Sequence, residues 1–118
     1  WHYPRFKMVA AARAAGIDTV DGPYANFRKL EVYREDCRRA AMLGCVGKWA
    51  IHPAQIEPAL EVFTPLQKDV DAARAMTKAY AKAEAEGLGA VNVDGVMVDV
   101  ASVRILSNLL RKADLIGM

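Results

Sequence analysis

The sequence predicts an α/β fold: the C-terminal part of a (β/α)8 TIM barrel, residues 1–64, followed by a small helix, β-hairpin and helix module, residues 65–118. Three observations carry this expectation. Helical patterns alternate with short β-type runs in the first half, each run ending in a polar loop, which is the order of parallel α/β architecture with right-handed crossovers. Two parallel strands need sheet neighbours and cover on both faces, so further strands are expected to precede Trp1. After Thr64-Pro65 the composition shifts to a long helical pattern and a single hairpin.

In the first half, Pro4 suits the first turn of a helix, and Phe6, Val9, Ala10, Arg13 and Ala14 follow at helical spacing until Gly16 supplies a stop. Ile17 to Val20 reads as a strand ended by Asp21-Gly22-Pro23. Leu30 to Leu43 repeats the helix, with Tyr33, Cys37, Ala40 and Ala41 on one stripe and Gly44 at the close. Lys48 to Ile51 is the second strand, stopped by His52-Pro53, with Trp49 expected in the core. Ala54 to Val62 begins another helix, with Ile56, Leu60 and Phe63 on its inner face.

In the second half, Gln67 to Glu86 carries Val70, Ala73, Met76, Thr77 and Tyr80 at three- and four-residue steps, an amphipathic helix ended by Gly87. Ala90 to Asp99 reads as two strands around an Asn-Val-Asp-Gly turn, and Ala101 to Leu115 as a final helix.

Composition narrows the function classes. The chain has 118 residues, 53% hydrophobic and 25% charged, the balance of a globular domain. A net charge of +2, with basic residues spread along the chain, gives no footprint for nucleic acid. No apolar run reaches the roughly 18 residues of a membrane span, and no secretory leader pattern opens the chain. Cys37 and Cys45 lack a CxxC spacing and companion ligands, so they read as reduced thiols and the compartment as cytoplasmic. The opening Trp1-His2-Tyr3-Pro4, without an initiator Met, reads as cut from something longer.

Few residues are placed to carry chemistry. Asp99 precedes a helix and follows Val96-Met97-Val98. As an N-cap it would be structural; as a general acid or base it would need burial to bring its pKa towards neutrality. His52 ends a strand, where it is either a hydrogen-bonded structural residue or faces the mouth of the sheet, with the Ile51 and His52 peptide groups able to meet a ligand. Lys48 opens the same strand and is either solvated, paired with a carboxylate or turned inward to hold an anion. Asp21, at the C-terminal end of the first strand, is a turn residue by default and a candidate site-lining group by position. Glu31, Glu35 and Asp36 read as a solvated face. No metal constellation, Gly-rich phosphate loop or serine nucleophile elbow occurs among these residues.

The order Val20-Asp21-Gly22-Pro23-Tyr24, Gly47-Lys48-Trp49-Ala50-Ile51-His52-Pro53, Gln55-Ile56, Val62-Phe63-Thr64-Pro65, Asp94-Gly95 and Met97-Val98-Asp99 resembles the HpcH/HpaI aldolase and citrate lyase β-subunit superfamily. Within it, Trp49-Ala50 and the Val100-Ala101 after Asp99 resemble the malyl-CoA/β-methylmalyl-CoA lyase branch. The resemblance implies a TIM barrel with Mg2+ at the strand ends, reversibly cleaving a 3-hydroxyacyl-CoA thioester such as malyl-CoA to acetyl-CoA and glyoxylate by Claisen-type chemistry. It implies Asp99 as the acid/base, Ile51 and His52 lining the coenzyme A thioester site, and a C-terminal module serving a neighbouring subunit in a homo-oligomer, a trimer or hexamer. The metal ligands are expected upstream of this chain, which alone should be inactive. A citryl-CoA lyase-like or thioesterase relative, and a non-catalytic assembly module, are the competing readings.

Overall fold

The computed structural model describes residues 1–118, which divide into two compact units, Trp1–Thr64 and Pro65–Met118. The architecture is α/β, with helices and two small sheets.

In the first unit, α1 (His2–Ala14) leads to β1 (Val20–Asp21), α2 (Leu30–Leu43) and β2 (Gly47–Lys48), then a 3-10 turn (Pro53–Gln55) and α3 (Ile56–Phe63). The strands pair in parallel, Val20 opposite Gly47 and Asp21 opposite Lys48, with α2 as the crossover. Gly44 closes α2 at φ 107°, a left-handed position at which an added Cβ would also meet Val9 Cγ1 at 3.0 Å. The Cys45 N–H then reaches back to the Ala40 carbonyl, satisfying a terminal acceptor of the helix. Val9, Ala40 and Cys45 form a buried cluster with Phe63 packed against it, and Tyr33 and Cys37 are fully buried beside them on α2.

The strands are shorter and differently placed than the hydrophobic runs suggest. Pairing spans Val20–Asp21 and Gly47–Lys48 instead of Ile17 to Val20 and Lys48 to Ile51. The Val46 N–H to the Thr19 carbonyl extends the ladder at its start, and beyond Lys48 it continues only through the Trp49 N–H to the Asp21 carbonyl, because Gly22-Pro23 follows on the partner and Pro23 has no N–H to donate. His52 therefore lies in a loop beyond the strand and not at its end.

Trp49 is 61% exposed, contrary to the expected core position. Successive side chains of an extended segment point to opposite sides, and Lys48 takes the buried side. Ile56 and Leu60 are also exposed, while Gln55 and Pro58 are buried. The 3-10 turn advances the chain at about three residues per turn before α3 starts, which shifts the helical phase. Gln55 faces inward as a result, and Ile56 faces out.

In the second unit, α4 (Gln67–Ala85) precedes β3 (Ala90–Val93), β4 (Val96–Asp99) and α5 (Val100–Leu115). The hairpin pairs Ala90 with Asp99, Val91 with Val98, Asn92 with Met97 and Val93 with Val96. Asp94 and Gly95 both have positive φ, 50° and 84°, the signature of a type I′ turn whose twist matches that of the strands. Asn92 Oδ1 accepts the Gly95 N–H at 2.9 Å and steadies it. The stripe of α4 buries Val70, Ala73, Tyr80 and Ala83; β4 contributes buried Val98, and α5 contributes Ala113.

Candidate functional site at the strand ends

The site is built where the loops after β1 and β2 leave the sheet. Asp21 is buried, with Oδ1 accepting from Arg5 Nε at 2.9 Å and Oδ2 from Lys48 Nζ at 2.6 Å. Lys48 spends its remaining ammonium donors on Asp36 at 2.8 Å and on the Gly22 carbonyl at 2.7 Å. Arg5 Nη2 also meets Asp36, at 2.9 Å, so two cations and two carboxylates close a charge-balanced ring. Burial alone would push Asp36 up, but hydrogen bonds from Lys48 and Arg5 outweigh it and hold the carboxyl below its usual range. For Arg5, burial works downward, and the hydrogen bonds it donates to Asp21 and Asp36 outweigh it and raise the pKa.

Asp21 and Lys48 are thus brought together, each occupied by the other. Asp36 does not belong to a solvated face: its place on α2 next to buried Cys37 turns it towards the strand ends, where Lys48 and Arg5 await it. Glu31 and Glu35 do pair at the surface, with Arg34 and with Arg38 and Arg39.

The neighbouring loop is braced by side chains. Gln55, fully buried, accepts the Ile51 N–H at 2.8 Å through Oε1 and donates Nε2 to the Tyr24 carbonyl at 2.9 Å. Tyr33 donates its hydroxyl to the Trp49 carbonyl at 3.2 Å. Burial first, then the nearby Cys37, pushes that hydroxyl up to about 12, so it stays a donor at neutral pH. His52 Nδ1 accepts the Ala54 N–H at 3.1 Å, which places the ring proton of the neutral imidazole on Nε2. The ring stacks on Phe27 at 4.4 Å and 12°, and the Arg28 guanidinium lies 5.6 Å from the Phe27 centroid. Of the peptide groups proposed to meet a ligand, the Ile51 N–H is already taken. The Gln55 N–H takes the His52 carbonyl, which leaves the Ile51 carbonyl, the His52 N–H, the exposed Ile51 side chain and the His52 ring edge. Beside the ion-pair ring lies an open groove of about 910 Å3, lined by Trp1, Arg5, Met8, Asp21, Pro23 and Tyr24 among others.

Asp99 lies in the second unit as the N-cap of α5, with Oδ1 accepting from the Ser102 N–H at 2.8 Å and the Ser102 hydroxyl at 2.9 Å. These bonds hold its pKa below the usual carboxylate range, opposite to the upward shift expected of a neutral-pH base. Both fall on Oδ1, which leaves Oδ2 outside the cap.

Sequence reasoning passed over Arg5, Asp36 and Gln55 as site-building groups. Gln55 had one legible signal, a polar residue just after His52-Pro53-Ala54 at the start of a helix. Arg5 had none, since it meets Asp21 and Asp36 only through the fold.

No set of three or more His, Cys, Asp or Glu side chains is placed to hold a metal ion. The carboxylates at the strand ends are buried Asp21 and half-buried Asp36, and Arg5 and Lys48 satisfy both. This chain's residues therefore do not fit a Mg2+ site.

No family model matches the chain. Among curated proteins, it is 46% identical over 99% of its length to the L-malyl-CoA/β-methylmalyl-CoA lyase of Cereibacter sphaeroides strain ATCC 17025. It is 46% identical over 98% of its length to that of Rhodobacter capsulatus. By sequence the chain is similar to the malyl-CoA/β-methylmalyl-CoA lyases. It spans 37% and 36% of the lengths of those two relatives. A (3S)-malyl-CoA thioesterase of Cereibacter sphaeroides is 38% identical over 91% of the chain, covering 38% of that protein.

Solved structures agree with this grouping. A citrate lyase from Burkholderia xenovorans superposes with a TM-score of 0.76 at 28% identity, covering 96% of this chain and 35% of that one. CitE from Mycobacterium tuberculosis, in complex with magnesium, acetoacetate and coenzyme A, superposes with a TM-score of 0.69 at 28% identity, covering 93% and 40%. For membranes, no helix is long and apolar enough to cross one.

Proposed function

We propose that the chain is the C-terminal part of a carbon-carbon lyase that reversibly cleaves a 3-hydroxyacyl-CoA to an acyl-CoA and glyoxylate. The substrates would be L-malyl-CoA, giving acetyl-CoA, and β-methylmalyl-CoA, giving propionyl-CoA. The observation that carries this reading is the 46% identity to the malyl-CoA/β-methylmalyl-CoA lyases across 99% of the chain.

The parallel pair β1–β2 supports a larger sheet. Its Asp21–Lys48 side is buried, while Val20 on the other side is 49% exposed. A parallel strand is stable when both faces are covered, which suits the last units of a (β/α)8 barrel whose other strands lie elsewhere in the full protein. The complex of CitE with magnesium supports Mg2+ as cofactor, with ligands outside this chain.

Within the chain, Ile51 and His52 would line the coenzyme A thioester site, with the Ile51 side chain and the Nε2 edge of His52 facing the ligand. Asp99 would exchange a proton with the thioester α-carbon through Oδ2 while Ser102 holds Oδ1. A carboxylate kept ionised is the base form needed in the condensation direction; in cleavage the proton returns to carbon. Exposed Met97, Val100 and Ile105 around Asp99 support a module that docks on a neighbouring subunit of a homo-oligomer. The free thiols Cys37 and Cys45 suit a reducing cytoplasm.

A second reading, hydrolysis of the thioester, is favoured by the similarity to the malyl-CoA thioesterase. Incubation of the full-length protein with Mg2+ and malyl-CoA separates them by product. Glyoxylate with acetyl-CoA in equal amounts is the expected outcome; malate with free coenzyme A would establish the thioesterase instead. Citryl-CoA as the better substrate would move the protein to the citrate lyase branch.

A further inference from the structure

We infer that Gln55 is a positioning residue for coenzyme A thioester binding, acting through the backbone of Ile51 and Tyr24; this rests on the proposed role of Ile51 and His52. The two strand-end loops carry the residues in question, and neither loop is tied to the other by the sheet, whose ladder stops at Trp49 and Asp21. Gln55 joins them. One face of its amide accepts from the Ile51 N–H and the other donates to the Tyr24 carbonyl, at 2.8 and 2.9 Å.

The side chain makes no other hydrogen bond. It is fully buried among the largest enclosed side chains, although an amide is costly to bury and an apolar residue would fill the space. Beyond the end of the β ladder it takes up the Ile51 N–H, and the Ile51 side chain there is 53% exposed. The next residue, His52, caps the 3-10 turn that holds Gln55 itself. Gln55 therefore sets where Ile51 and His52 sit relative to Pro23-Tyr24, with both amide functions required and neither exchangeable: an acceptor must face Ile51 and a donor must face Tyr24.

The test uses the full-length protein with Gln55→Glu and Gln55→Met. The glutamate keeps the acceptor for Ile51 and places an oxygen against the Tyr24 carbonyl; the methionine keeps the volume and loses both bonds. Leaving such a buried group unsatisfied is expected to weaken calorimetric binding of free coenzyme A by about tenfold or more. KM for acetyl-CoA should rise in parallel, with KM for glyoxylate within about twofold of wild type, a split that general destabilisation does not produce. In wild type, the Ile51 amide should exchange slowly with solvent and shift its resonance when coenzyme A is added. That measurement stands even if both variants fail to fold.

Folded variants that bind coenzyme A as wild type does, a parallel rise in both KM values, or an Ile51 amide indifferent to coenzyme A would each overturn the inference. So would a wild-type protein that binds no coenzyme A. If wild type binds coenzyme A but releases no glyoxylate from malyl-CoA, and the variants still bind more weakly, the lyase reading fails while the positioning role stands.

Discussion

Lys48 Nζ lies 2.6 Å from Asp21 Oδ2 with the two side chains 1% and 6% exposed, and Arg5 grips the other oxygen of the same carboxylate at 2.9 Å. A buried ion pair adds little net stability over an apolar replacement of both partners, yet removing one partner strands the other's charge. Here one ammonium serves Asp21, Asp36 and the Gly22 carbonyl together.

Lys48→Met in the full-length protein is therefore expected to cost about 3–5 kcal/mol, because buried Asp21 and half-buried Asp36 would be left to share Arg5. The urea midpoint measures it. A loss under about 1 kcal/mol would mean that the pair is solvated, as a surface bridge is.

Asp36 links this ring to pH. Its folded-state pKa is lowered, since the Lys48 and Arg5 hydrogen bonds outweigh burial, so the unfolded chain binds the proton more readily. The stability it contributes is complete above the unfolded value, about 3.9, and disappears as pH falls through the lower folded value. Thermal midpoints of wild type and Asp36→Asn should therefore keep their full difference above about pH 4 and converge only as pH falls through the lower folded value. A gap that persists at lower pH would contradict the assignment.

Asp99→Asn separates cap from chemistry. Asparagine is an equally good N-cap, and its amide oxygen can accept from Ser102, so the melting temperature should stay close to wild type. Malyl-CoA cleavage by the full-length protein should fall by about 100- to 10,000-fold if the carboxylate is the acid/base. Unchanged turnover would leave Asp99 a cap alone.

Gly44 combines a left-handed backbone at φ 107° with Val9 Cγ1 3.0 Å from where a Cβ would stand. Gly44→Ala should lower stability by about 1–3 kcal/mol, through the left-handed conformation and displacement of Val9. Adding Val9→Ala should recover part of the Gly44→Ala loss, seen as non-additivity in a double-mutant cycle. Strict additivity would show that the contact is relieved elsewhere.

The local signals in this chain were legible because they involve neighbours in sequence. Gly44 ends α2 at its expected residue, and the Asp94-Gly95 turn sets the whole hairpin register. Asp99 precedes its helix as a cap because its acceptor and the Ser102 N–H are three residues apart. The strand limits were not legible: Trp49-Ala50-Ile51 has β character, but its partner runs into Gly22-Pro23 and offers no donor.

By itself the sequence determined where helices stop, how the hairpin turns and which family the chain resembles, since these follow from backbone preferences and residue order. The charged cluster was decided only by tertiary structure. Asp21, Lys48, Asp36 and Arg5 come from two helices and two strands, and whether a charge is solvated or buried depends on which opposite charge the fold delivers within hydrogen-bond reach. Gln55 is the same case for an uncharged group. Its amide is buried because the fold presents one peptide N–H and one carbonyl on its two sides.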